Sequence, residues 1–161
     1  MLQAYVDEPC AFQATVPERE PLPLEWWESR VSDHPDATQL VFGAFVETQL
    51  VGVAGLQFAQ RERTRHKASL FGMAVLPQFR GQGIARALVE AVLAKARSTP
   101  GTRIVQLTVT EPNVSAIRLY ESCGFLPFGT EPYAVKVGEE FLSLNHMWCA
   151  VDDGGWGSGS R

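Results

Sequence analysis

The chain has 161 residues, 45% of them apolar and 20% charged, with a formal net charge of −4. That length suits one domain with a real hydrophobic core, and no apolar run is long enough to span a bilayer, so no membrane partner is expected. The acidic balance argues against nucleic acid as a partner, and Asp7 and Glu8, ahead of the first basic residue Arg19, argue against a secretory signal.

Pro9 to Pro23 carries four prolines and reads as an irregular loop. A short helix follows Pro23, with Leu24, Trp27 and Val31 on one face. Gln39 to Val46 and Leu50 to Phe58 are β-rich runs around Glu47-Thr48-Gln49, the pattern of a hairpin. Arg61 to Lys67 is a basic, solvated connection. Ala68 to Leu76 is the next strand, closed by Pro77. From Ile84 to Arg97 the apolar residues recur at helical spacing: Ile84, Ala87, Leu88 and Ala91, with Ala85, Val89, Val92 and Ala96 adjacent. Arg86, Glu90 and Arg97 gather on the opposite side, and Pro100-Gly101 stops the helix. Arg103 to Thr110 alternates, placing Val105, Leu107 and Val109 on one face. Asn113 is a good N-cap for a helix ending at Gly124. Gly129 to Val137 and Phe141 to Ala150 form a last pair of strands, turning at Gly138-Glu139-Glu140. The Gly/Ser-rich residues 152–161 read as a flexible tail after a single domain of residues 1–151.

This order of elements describes an α/β (α+β) domain with a mixed central sheet and flanking helices. Met1 to Tyr5 holds too little β pattern for a strand. Cys10, Cys123 and Cys149 are far apart and lack metal-ligand spacing, which points to reduced thiols and a cytoplasmic setting. His34, His66 and His146 are equally scattered, so no metal site is read.

The chemistry concentrates between strand and helix, at Arg80-Gly81-Gln82-Gly83-Ile84-Ala85. A Gly-rich turn there leaves backbone N–H groups unpaired. The first N–H groups of the helix join them, with the positive end of the helix dipole behind. Such a turn binds an anion, commonly a phosphate or pyrophosphate. Two nucleotide fingerprints fit poorly. No Lys-Ser or Lys-Thr follows Gly83, and Arg86 stands where a dinucleotide fold needs its third glycine. What remains is R-x-x-G-x-A, from Arg80, Gly83 and Ala85. Arg80 and Arg86 are positioned in the sequence to add charge, and an ordinary strand-to-helix turn is the plain alternative.

The segment from Phe71 to Val89, around that turn, resembles the acyl-CoA-binding core of the GNAT superfamily of N-acyltransferases. Asn113-Val114-Ser115-Ala116-Ile117-Arg118-Leu119-Tyr120-Glu121-Ser122-Cys123-Gly124-Phe125 resembles that family's second signature, N-x-x-A-x-x-L-Y-x-x-x-G-F. The close resemblance covers Phe71 to Phe125. It extends loosely from about Leu40 to Val151. It implies that the strands Ala68–Leu76 and Arg103–Thr110 are parallel neighbours that splay and open a slot. The family usually begins with a strand, and the resemblance makes its absence here a departure. The sheet edge near Gln39–Val46 would then be open, or covered by another chain in a homodimer.

The resemblance also implies acetyl-CoA as cosubstrate and a site. Met73, Ala74 and Val75 would hold the pantetheine arm as an extra strand would, with an N–H near Met73 on the thioester oxygen. The stretch Arg80, Gly81, Gln82, Gly83, Ile84, Ala85 and Arg86 would take the pyrophosphate, and Asn113 would touch the pantetheine while capping its helix. Tyr120 would act as general acid: a phenol of pKa about 10 is protonated at pH 7 and donates to a departing thiolate. The plain alternative for Tyr120 is a core residue. A base is harder to find; Glu111 is a weak candidate and His66 a weaker one. The implied reaction moves an acetyl group to a small-molecule or peptide primary amine by direct attack. Transfer of a longer acyl chain, transfer to a protein amine, and a non-catalytic acyl-CoA sensor are the alternatives.

Overall fold

A computed structural model describes residues 2–8, 11–28, 30, 31, 34 and 37–152. The Gly/Ser-rich end from residue 153 onward, where the tail is expected, lies outside the described residues. Three short helices come first: α1 (Leu2–Asp7), α2 (Val16–Arg19) and α3 (Leu24–Glu28). Strands β1 (Gln39–Val46), β2 (Gln49–Phe58) and β3 (Lys67–Val75) follow. Then come α4 (Ile84–Ser98), β4 (Ile104–Thr110), α5 (Val114–Ser122), β5 (Leu126–Val137) and β6 (Glu140–Ala150). The six strands form one mixed sheet in the order β1-β2-β3-β4-β6-β5. Residues 2–7 are helical rather than a strand, and β1 is an outer strand, as expected.

Helix α4 lies across β1, β2 and β3. Its buried residues are Leu88, Val89, Val92, Leu93 and Ala96, the stripe that its periodicity sets out, with Leu93 added. They pack on Ala54, Leu56, Ala68, Leu70, Val105 and Leu107 of the sheet. Each large aliphatic side chain buried there contributes roughly 1.5–3 kcal/mol. Ala87, assigned to the apolar face, is exposed. The opposite side carries the Arg86–Glu90 ion pair at 3.5 Å.

Three local readings need correction. The proline-rich segment is not wholly irregular, because α2 forms within it. Glu18 Oε2 accepts from the Thr15 N–H at 2.7 Å and from its hydroxyl at 2.9 Å, which secures the first turn. Leu24 and Val31 do not share a buried face; they are 67% and 62% exposed. The last hairpin begins at Leu126, not Gly129. Pro127 is accommodated because β5 is an outer strand with a register shift between Pro127 and Gly129.

One glycine of the sheet is required for space. A Cβ at Gly55 would overlap the Phe71 ring, which lies across it from β3. Gly55→Ala should therefore destabilise the fold by about 1–3 kcal/mol, because the ring must move. Urea denaturation checks this; an unchanged midpoint would mean that the ring has room to shift.

Candidate active site

The cleft follows from how β3 leaves its neighbours. On one side, β3 pairs in parallel with β4 at Lys67–Ile104, Ala68–Val105 and Ser69–Gln106, and the pairing stops there. On the other side, β3 stays paired with β2 as far as Gly52–Val75. Between Val53–Ala74 and Gly55–Phe71 a bulge sets Gly72 and Met73 against Ala54 alone. Gly72 has φ 61°, left-handed backbone that a glycine adopts without strain. The bulge bends β3, and its β4-facing backbone groups beyond Ser69 border an open slot. The expected splay of parallel neighbours is thus present.

The slot is a cavity of about 610 Å³, within the usual range for small-ligand sites. Its walls bring together Met73, Ala74, Val75, Arg80, Gly81, Gly83, Ile84, Ala85, Arg86, Asn113 and Tyr120. Of the residues expected to hold the cofactor, only Gln82 is not on the wall. Its side chain turns back, with Nε2 3.5 Å from the Gln78 carbonyl oxygen.

In the turn before α4, Gly81 and Gly83 have φ of 74° and 81°. Nothing lies within 4 Å of where a Cβ would stand on either. The glycines are therefore required for backbone conformation, and the space around them is free for a ligand. Gly83 is the N-cap of α4 and has no side chain to cap it. The helix's first backbone bond runs from Ala87 N–H to the Gly83 carbonyl. Among the described residues, the N–H groups of Gly81 to Arg86 have no protein acceptor, which is the arrangement an anion completes.

The two arginines are less free than their sequence positions suggest. Arg80 Nη1 is 2.7 Å from Glu8 Oε1, and its Nε donates to the Val75 carbonyl at 3.0 Å. Arg86 Nη2 donates to Ser122 Oγ at 2.8 Å. Both guanidiniums are half-exposed and already partnered, so the backbone N–H groups and the helix dipole are what this turn leaves free to attract an anion.

Asn113 caps α5: its Oδ1 accepts from Ala116 N–H at 3.2 Å and from Ser115 Oγ at 3.1 Å. Tyr120 is both packed and on the cleft wall. It is 6% exposed and meets Phe125 edge to face at 5.8 Å. Burial, with a smaller contribution from Cys123, pushes its pKa up to about 12. The hydroxyl therefore stays protonated throughout the neutral range.

The two base candidates are not brought to the cleft. Glu111 is exposed beyond the end of β4, where its N–H donates to the Ser143 carbonyl at 2.9 Å. His66 sits at the paired end of β3, its carbonyl accepting from Arg103 N–H at 2.8 Å. Residues missed from sequence are Asp7, Glu8, Ala11 and Phe12, which join the wall from the N-terminal segment. Only their shared proximity in the fold reveals them.

Known proteins resemble this chain in sequence and in fold. A model of the acetyltransferase (GNAT) family matches residues 1–125. L-amino acid N-acetyltransferase AaaT of Escherichia coli is 32% identical over 114 residues, covering 70% of this chain and 68% of the relative. Rat N-acetyltransferase family 8 member 2 is 39% identical over 98 residues, 60% of this chain. The chain spans only 42% of that protein's length. A candidate acetyltransferase, yncA of Salmonella typhimurium, was solved with its cofactor acetyl-CoA. It superposes with a TM-score of 0.76 at 19% identity, over 99% of this chain and 91% of its own.

Proposed function

The chain belongs to the GNAT family of acetyltransferases, and from that premise we propose which of its residues carry an acetyl group from acetyl-CoA to a primary amine. The observation that carries the assignment is the slot. Parallel strands part beside a run of N–H groups that have no acceptor among the described residues, and a buried tyrosine stands on the facing helix.

The N–H groups from Gly81 to Arg86 take the pyrophosphate. The β4-facing edge of Met73, Ala74 and Val75 pairs with the pantetheine arm, which runs along the slot as an added strand. An N–H near Met73 polarises the thioester oxygen and stabilises the oxyanion that forms there. The amine attacks the acetyl carbon directly, with both substrates bound. As the C–S bond breaks, Tyr120 gives its proton to the leaving sulfur. A phenol held at about pKa 12 gives up its proton reluctantly, so transfer is coupled to collapse of the tetrahedral species rather than preceding it. Asn113 holds α5, and so Tyr120, against the slot.

The acceptor is a small-molecule or peptide amine. The E. coli relative is named for L-amino acids, which places amino acids first among acceptors to test. A cytoplasmic setting belongs to the same reading. So does a homodimer, which the exposed Val41, Phe45 and Val46 on the outer strand β1 support.

The experiment is acetyl-CoA with a panel of amino acids, polyamines, aminoglycosides and peptides, read by free-thiol release and by the mass of the product. Stoichiometric thiol and acetylated amine are expected with at least one acceptor. Tight acetyl-CoA binding with no turnover across the panel would favour the sensor.

A further inference from the structure

On the reading just proposed, the reaction still needs a base, because an ammonium of pKa about 10.4 costs roughly 4–5 kcal/mol to deprotonate at pH 7. We propose that His146 of β6, held by Glu131 of β5, is that base.

Thr108 lines the slot, two residues beyond the last pairing of β4 with β3 at Gln106. Phe71, two residues beyond Ser69, also lines it. Ser69 and Gln106 are register partners and share a face, so Phe71 and Thr108 share that face across the widening slot. This face is opposite the one that α4 covers, to which Val105, Leu107 and Val109 belong. The amine must approach here, since α4 and the core close the other side.

Thr108 cannot take a proton at neutral pH, but His146 is its register partner on β6. Directly opposed residues in an antiparallel pair point to the same face with Cβ atoms about 4.5–5.5 Å apart. The imidazole is therefore on the same face as Thr108, one strand out from the slot, whose wall it does not itself join. Its Nε2 is 3.2 Å from Glu131 Oε2, and its ring lies 5.8 Å from the Phe128 ring. The His146 side chain is 33% exposed, so a bridging water can link it to the slot. In the tautomer whose Nε2–H donates to Glu131, the Nδ1 lone pair is free to accept. A carboxylate that fixes the tautomer and the ring orientation is the usual support for a histidine base. On the same face, β4 offers the neutral Gln106 and Thr110, and β6 the neutral Leu144 and Trp148. Glu131 is the charged group facing the ring from β5.

The carboxylates on the cleft wall itself serve less well. Glu8 is committed to Arg80 at 2.7 Å, at the phosphate end of the slot, and Asp7 precedes it on the same segment.

His146 takes one proton from the bound ammonium through a bridging water and returns it to solvent. The free amine adds to the acetyl carbon, and the C–S bond breaks as the tetrahedral species collapses. The thiolate receives the Tyr120 proton, and the proton then lost from the new amide nitrogen restores Tyr120 through water.

The test uses His146→Gln and His146→Asn with the best acceptor from the amine panel. Calorimetry with acetyl-CoA, which depends on the phosphate turn and not on a base, should give wild-type affinity and shows separately that the cosubstrate site is intact. For both variants kcat/KM for the amine should fall about 10²-fold, the acid limb of its pH profile should vanish, and added imidazole should restore part of the rate. Glu131→Gln, which keeps the ring but loosens its hold, should give a smaller loss. Wild-type kcat/KM with an unaltered acid limb in either histidine variant would overturn the proposal. So would a loss that imidazole leaves untouched while the acid limb persists.

Discussion

Gly83→Glu should abolish acetyl-CoA binding while leaving a folded protein. Three effects add. The carboxylate would stand in the open space above the turn, where the pyrophosphate is assigned. Its charge would repel the phosphates at short range and be attracted to the same helix N-terminus that binds them. The backbone at φ 81° would also carry strain, of order 1–3 kcal/mol for a residue with a Cβ. Gly83→Ala separates these contributions. It brings the strain without the charge and little of the bulk, and nothing lies within 4 Å of the new methyl group. It should lower the melting temperature by a similar amount and keep measurable binding. Calorimetric affinity unchanged in folded Gly83→Glu would sink the phosphate assignment.

Tyr120→Phe should lower kcat about 10²-fold, the lower end of the range for general acid catalysis, because a thiolate is already a fair leaving group. The ring would still meet Phe125 edge to face, so fold and acetyl-CoA affinity should be nearly unchanged. The pH behaviour follows from the raised pKa. The hydroxyl is protonated below about pH 12, so its deficit should be the same at every pH from neutral to mildly alkaline. An alkaline limb due to Tyr120 falls beyond the working range. A phenol of ordinary pKa would give the wild type an alkaline limb that the variant lacks; with the raised pKa no such limb is observable. Stability gives a second readout. A group whose pKa rises on folding contributes stability that is intact below its unfolded pKa, about 10 for a phenol. That contribution is lost as pH rises towards about 12. The wild type should weaken across that window more than Tyr120→Phe. Turnover at the wild-type rate in Tyr120→Phe would make Tyr120 a core residue and leave the acid to water.

The parts of this molecule legible in its sequence are those set by neighbours along the chain. The stripe of α4, the alternation of β4 and the Asn113 cap are local patterns, and each element forms where they occur. Gly81 and Gly83 announce a turn in left-handed backbone, and both adopt it. Where long-range pairing decides, the sequence is silent. The charges of Arg80 and Arg86 look available until the fold supplies Glu8, 72 residues away, and Ser122, 36 residues away. Thr15 and Glu18 form their capping box inside a run of prolines that reads as a loop. His146 looks isolated because nothing local says that β6 lies between β4 and β5. That strand order puts it next to Thr108 and within reach of Glu131. Glu111, which looks close to the slot along the chain, is carried past its end by β4.

The most direct measurement is a crystal structure of the protein with acetyl-CoA. The pyrophosphate should accept hydrogen bonds from the N–H groups between Gly81 and Arg86, the pantetheine should run beside Met73, Ala74 and Val75, and the thioester sulfur should lie within hydrogen-bond reach of the Tyr120 hydroxyl. Acetyl-CoA bound elsewhere, or a sulfur remote from Tyr120 in an otherwise ordered complex, would contradict the assignment of this cleft.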